Sequence, residues 1–207
     1  MNAGFLSYII LTLSLILIGF GWRAQAIGNG SGKAAAVFCL AWIVGAASDW
    51  RYGGATGTFV YVPLLALGAH AVRTSSSWKE TASIASFGCL LGAVFSLVQL
   101  LETLDPLVIV LHPSLDPVLL VGLLVAAYVR MPAAQLALLS IALVVNDVYM
   151  GSLYAEWQPA ALGDREFQDA WWLGAATARA ATVFGVSAVR RAKAGGGRIR
   201  GWLRVRR

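Results

Sequence analysis

Charged residues cut this chain into long apolar runs. Residues 2–22 carry no charge, and further runs cover 34–48, 54–72, 81–101, 131–150 and 170–189, the last broken by Arg179. About 20 apolar residues cross the ~30 Å hydrocarbon core of a bilayer as a helix, so these runs predict membrane spans. Residues 5–22 lack a preceding Lys or Arg, which argues against a secretory signal peptide. The region 106–129 is less regular. Its Asp116-Pro117 pair is a helix-start signal, because Asp caps free N–H groups and Pro at the first position forfeits no bond. A helix from there to Arg130 is about 21 Å long, short of a full crossing. Residues 106–115 therefore either complete the span as a broken half-helix or lie in the outer interface. The reading adopted is one discontinuous span.

Seven spans give the two ends of the chain opposite sides, which the loop charges test. With the N-terminus outside, the inner segments hold 13 cations: Arg23, Lys33, Arg73, Lys79, Arg130 and the eight of the tail. The outer ones hold only Arg51 and Arg165. That asymmetry follows the positive-inside rule. The predicted fold is thus an all-α integral membrane protein: a seven-helix bundle over residues 1–189, N-terminus outside, with a basic cytoplasmic tail at 190–207. Trp22, Trp50, Trp78, Trp157, Trp171, Trp172 and Trp202 fall at span ends or in loops, as expected of headgroup-level anchors. Only Trp42 lies deep within a span.

Composition sharpens this picture. The chain has 207 residues, 58% hydrophobic and 13% charged, against about 25% charged in a soluble domain. A soluble globule and a disordered chain are both excluded. The net charge of +6 could suggest nucleic-acid binding, but residues 1–189 hold eight cations and ten acids, while the tail alone adds eight cations. In the tail, Arg190, Arg191, Lys193, Arg198, Arg200, Trp202 and Arg204 mix charge with apolar bulk. That mixture suits the anionic headgroups of an inner leaflet, and nothing in the chain offers a nucleic-acid-binding fold.

Chemical motifs are sparse. There is no Gly-rich phosphate loop, His-Glu-x-x-His, Cys-x-x-Cys or nucleophile-elbow serine. Cys39 and Cys89 lie within apolar runs and read as small buried hydrophobes. His70 and His112 belong to opposite membrane faces, too far apart to share a metal; no metal or cofactor is expected. What remains is a set of ionisable residues at or near membrane depth: Glu102, Asp105, His112, Asp116, Asp147 and Arg179. Such groups are costly in hydrocarbon and mark a pair or a site. Arg179 is expected to pair with Asp116, or failing that with Asp147. Ser96, Gln99 and Glu102 share one face of the fourth span with Gly88 and Gly92, while Ser140, Asn146 and Asp147 form a polar face on the sixth. These faces either pack together or line a polar cavity. Gly88 and Gly92 form a small-xxx-small motif that allows close helix approach, within the bundle or toward an oligomeric or membrane partner.

Several blocks carry a resemblance. They are Gly4-Phe-Leu-Ser-Tyr8, Gly21-Trp22, Asp105-Pro106, His112-Pro-Ser-Leu-Asp116, Phe167-Gln-Asp169-Ala-Trp171-Trp172-Leu and Thr177-Ala-Arg179. Together the chain resembles the YphA-like small multi-pass membrane proteins of Gram-positive spore-forming bacteria. The resemblance implies an integral protein of the bacterial plasma membrane and carries over no catalytic residue. Short loops and missing motifs favour a non-enzymatic accessory or scaffold protein. The alternatives are a small-solute or proton-coupled transporter using Glu102, Asp116, Asp147 and Arg179, and a lipid-acting intramembrane enzyme with His112 and Asp116 as acid and base.

Overall fold

Among the described residues the apolar runs become seven α-helices, with a small sheet closing one end of the bundle. The computed structural model describes residues 3–21, 32–52, 54–75, 77–157 and 159–205, with side chains as far as 187. Its helices are α1 (Phe5–Gly19), α2 (Gly32–Ala46), α3 (Tyr61–Thr74), α4 (Trp78–Leu104), α5 (Asp116–Tyr128), α6 (Pro132–Leu153) and α7 (Arg165–Val205). Local chemistry sets several starts. Ser77 caps α4 by accepting from the Glu80 N–H, a Ser-x-x-Glu box. Proline in the first turn opens α5 and α6 where its missing N–H costs nothing. Two helices, α4 and α6, are long and apolar enough to cross a bilayer, while α1, α2 and α5 are shorter apolar helices.

The helices alternate in direction. Ser96 meets Asn146 and Gly88 meets Ile141, so α4 and α6 run parallel. Trp171 meets Ser140 while Arg179 meets Gln135, so α7 runs against α6. By the same test α1, α3, α5 and α7 point one way and α2, α4 and α6 the other.

Close approach between α4 and α6 depends on Gly88 and Gly92. A Cβ on Gly88 would sit 2.8 Å from the Ile141 side chain, and one on Gly92 would sit 2.7 Å from the Ala142 carbonyl. Of the two uses expected for this small-residue face, packing within the bundle is the one seen here. A second seam joins α5 to α7, where Gly122 lies against the Gly174 carbonyl and Thr177.

Trp171 and Trp172 also depart from expectation. They are 1% and 6% exposed and pack with Trp42 and Phe38, the Trp42 and Trp171 rings lying 4.7 Å apart. Proximity to a span end suggested interfacial anchors, yet their face of α7 points at α2. Aromatic contacts of this kind add about 0.5–1.5 kcal/mol each beyond area burial. Trp78 and Trp157 are exposed, whereas Trp22 and the Trp202 side chain lie outside the described residues. Cys39 is buried, but Cys89 is exposed on the outer face of α4, another correction.

The expectation of a purely helical fold fails at residues 54–58. β1 (Asp49–Tyr52) and β2 (Ala55–Thr58) form an antiparallel hairpin, and β3 (Ala161–Leu162) joins β2 in parallel. Gly54, at φ +86°, supplies the left-handed turn residue. The third helix accordingly starts at Tyr61 rather than at residue 54. Residues 106–115 form no half-helix either. A single 3-10 turn at Pro106–Val108 is followed by an exposed strap, which corrects the discontinuous fifth span. Asp105 accepts from Leu107 N–H, and Asp116 accepts from the N–H groups of Val110 and Leu111. Carboxylates at both ends thus satisfy backbone donors that a helix would have used internally.

Candidate functional site

The ionisable residues separate into distinct groups. At the sheet end, Asp147 on α6 accepts from the Tyr61 hydroxyl and from Gly163 N–H at 2.8 Å. The Gly163 carbonyl in turn accepts from Thr58 Oγ1 and Gln168 Nε2. Gly163 has φ +66°, a left-handed conformation in which glycine carries no Cβ penalty. One carboxylate therefore ties together α3, α6 and the loop that leads from the sheet into α7.

Two more acids at this end serve helix starts. Asp164 Oδ1 accepts from Phe167 N–H at 2.9 Å and caps α7. Asp169 reaches from α7 to α1, where it accepts from Gly4 N–H at 2.8 Å and Ser7 N–H at 2.6 Å. Gly4 has no side chain with which to cap α1, so a residue from the far end of the sequence does it. A charged cap also complements the positive N-terminal end of the helix dipole.

Arg179 belongs to the opposite end. Its Nη1 donates to Gln135 Oε1 at 2.9 Å, while Gln135 Nε2 donates to the Val129 carbonyl at 2.6 Å and to Thr182 Oγ1 at 2.7 Å. Gln135 is fully buried. The expected acid gives way to a neutral amide at this contact. Asp116 begins α5, whereas Val129 follows its last turn, so Asp116 and the Arg179 contact lie about 18 Å apart along the helix axis. Asp147 is equally remote, three turns along α6 from Gln135.

Between these ends run two shorter links. Ser96 Oγ donates to Asn146 Oδ1 at 2.8 Å, joining α4 to α6. Trp171 Nε1 donates to Ser140 Oγ at 3.0 Å, joining α7 to α6. Ser140 and Asn146 thus face different neighbours rather than one common cavity.

Glu102 stands apart. It is 5% exposed, and neither carboxylate oxygen has a hydrogen-bond partner. Gln99 Oε1, one turn earlier on α4, is a second buried acceptor without a partner. Asp116 and His112 are the charged or titratable groups near enough to act on Glu102 electrostatically. His112 itself is exposed, its Nδ1 accepting from Ser114 N–H, and His70 is exposed on α3. Among the described residues no three His, Cys, Asp or Glu side chains converge as a metal set.

Sequence reasoning missed Tyr61, Gln135, Gln168 and Asp169 as polar partners. The available signal was a polar side chain within a few residues of an otherwise apolar run. A search for opposite charges passes over such neutral groups.

The profile of the YphA-like integral membrane protein family matches residues 3–192. The chain belongs to that family. No curated protein and no solved structure matches it. As a member of an integral membrane family the chain associates with the lipid bilayer, and Leu13, Leu40, Leu65, Leu97 and Phe184 are exposed apolar side chains on five of its helices. The family match covers all the polar groups described above and stops at residue 192, three residues into the basic tail.

Proposed function

We propose that this is a seven-span protein of the bacterial plasma membrane, N-terminus outside and C-terminus in the cytoplasm, acting as a non-enzymatic accessory or scaffold protein. The alternating helix directions support an odd number of crossings. The loop charges support the orientation, with cations gathered at the Arg179 end and in the tail. In this reading the basic tail lies on anionic inner-leaflet headgroups at about 1 kcal/mol per cation.

One observation carries the functional part. Asp147, Asp164, Asp169, Asp116 and Arg179 each engage a separate piece of the fold, so among the described residues these groups form no convergent set. Convergence of nucleophile, base and stabilising groups is what an enzyme site requires. The two recesses described at the sheet end, one of about 390 Å³ beside Trp157 and Pro159 and one of about 10 Å³ beside Ser7 and Trp42, include neither Glu102, Asp147 nor Arg179.

Two experiments test the reading. With Cys39 and Cys89 replaced by alanine, an impermeant maleimide should label Ala160→Cys from outside intact cells and Gly195→Cys only after lysis. Labelling of both from one side would refute seven spans. For the role, loss of function in Asp147→Asn or Arg179→Gln should track loss of protein from the membrane. A variant with full abundance and no function would favour a transporter.

A further inference from the structure

Glu102 is the only Asp, Glu, Lys, Arg or His side chain that is buried among the described residues, and neither of its oxygens has a hydrogen-bond partner. Three acceptor atoms, both Glu102 oxygens and Gln99 Oε1, are buried without partners within one turn of α4. Residues three apart on a helix are surface neighbours, so these side chains can meet. A bare carboxylate in this position would carry the full desolvation cost of a charge with no compensating bond. One added proton changes the balance, since a carboxylic acid is a donor as well as an acceptor.

His112 is the neighbour that can carry opposite charge, but no neighbour bonds to the Glu102 oxygens in place of that proton. Asp105 faces its own backbone at Leu107, Asn146 on α6 is committed to Ser96, and Asp147 is committed to Tyr61 and Gly163. Asp116, at the start of α5, carries negative charge of its own and spends both oxygens on Val110 and Leu111. His112, in the strap, is exposed to solvent and binds Ser114 N–H through Nδ1.

We propose that Glu102 is a proton-binding site: it takes one proton from solvent at the sheet end, becomes a neutral carboxylic acid, and donates that proton to Gln99 Oε1. This goes beyond the accessory role proposed above and holds whether or not that role is correct.

Hydrophobic carbodiimides react with protonated carboxyls, so the full-length protein in proteoliposomes provides the test, read by peptide mass spectrometry. Labelling at Glu102 should exceed that at solvent-exposed Glu156 at pH 7 and should fall as pH is raised. Infrared spectroscopy should show a protonated carboxyl stretch at pH 7 that disappears in Glu102→Gln. Glu102 labelling no greater than Glu156 labelling, with only a carboxylate stretch, would overturn the proposal. Saturable protection from labelling by sodium or an alkylammonium ion at fixed pH would also overturn it, by making the occupant a cation. If Glu102→Gln fails to fold, labelling and spectroscopy of the unmodified chain still decide.

Discussion

Asp147 and Glu102 lie on neighbouring parallel helices toward the same end of the bundle, yet their surroundings are opposite. Asp147 has two donors aimed at it from two other parts of the chain, Tyr61 and Gly163. Glu102 has none, and a second unpartnered acceptor beside it. A carboxylate in an apolar run is therefore not one kind of signal. The first is a clamp whose oxygens the fold uses as acceptors, and the second is a buried acid to which nothing is bonded. Free-energy effects of substitution should separate them in sign.

The largest effect is expected at the clamp. Asp147→Ala leaves the Tyr61 hydroxyl and the Gly163 N–H without an acceptor, at about 1–3 kcal/mol for each buried group. A loss of about 3–4 kcal/mol should appear as a lowered unfolding midpoint in detergent. A loss below about 1 kcal/mol would remove Asp147 from the role given it here.

At the other end, Gln135→Leu removes the amide that joins Arg179, Val129 and Thr182. The expected cost is about 2–3 kcal/mol, because a charged donor loses an acceptor. Restoring an acceptor with Gln135→Glu should recover part of it in the same unfolding assay. Full stability in Gln135→Leu would show that the amide does not hold this end together.

Gly92→Ala tests whether packing rather than polarity joins α4 to α6. Its Cβ meets the Ala142 carbonyl at 2.7 Å, and overpacking of this kind costs about 1–3 kcal/mol. Unchanged stability with a new dimer on native gels would restore the glycine face to an oligomeric role. Asp169→Ala should cost about 1–2 kcal/mol, the range for losing a helix cap. Hydrogen exchange should quicken first in the opening turn of α1, at Gly4 and Ser7.

How much of this was legible in the sequence depends on what each signal encodes. Charge spacing marks where apolar helices begin and end, and α2, α4 and α6 follow from it closely, whereas α7 starts five residues earlier than its apolar run and continues through the basic segment to Val205. Helix direction follows too, because short connections between consecutive helices force reversal. The sheet was hidden because Ala55, Thr56, Gly57 and Thr58 are neutral and extend an apolar run without a charge break. Their pairing with Ala161 and Leu162 joins segments about a hundred residues apart, which no local pattern records. The interfacial reading of Trp171 and Trp172 failed for a related reason: position along a helix was visible, but the face turned toward α2 was not. Arg179 was assigned an acid by charge alone, whereas Gln135 offers an equally good acceptor without a charge to mark it. The strap was half legible. Asp116-Pro117 correctly starts a helix, but the capping power of that Asp is directed back at Val110 and Leu111.

The most direct test compares two isosteric neutralisations under one unfolding assay at pH 7. Asp147→Asn replaces an acceptor oxygen with an NH₂ donor facing a hydroxyl and an N–H, and should destabilise the protein. Glu102→Gln removes an ionisable group that has no partner and gives Gln99 Oε1 an N–H donor; it should leave stability unchanged or raise it. Opposite signs are the predicted result. Equal destabilisation by both would contradict the distinction between clamp and proton site.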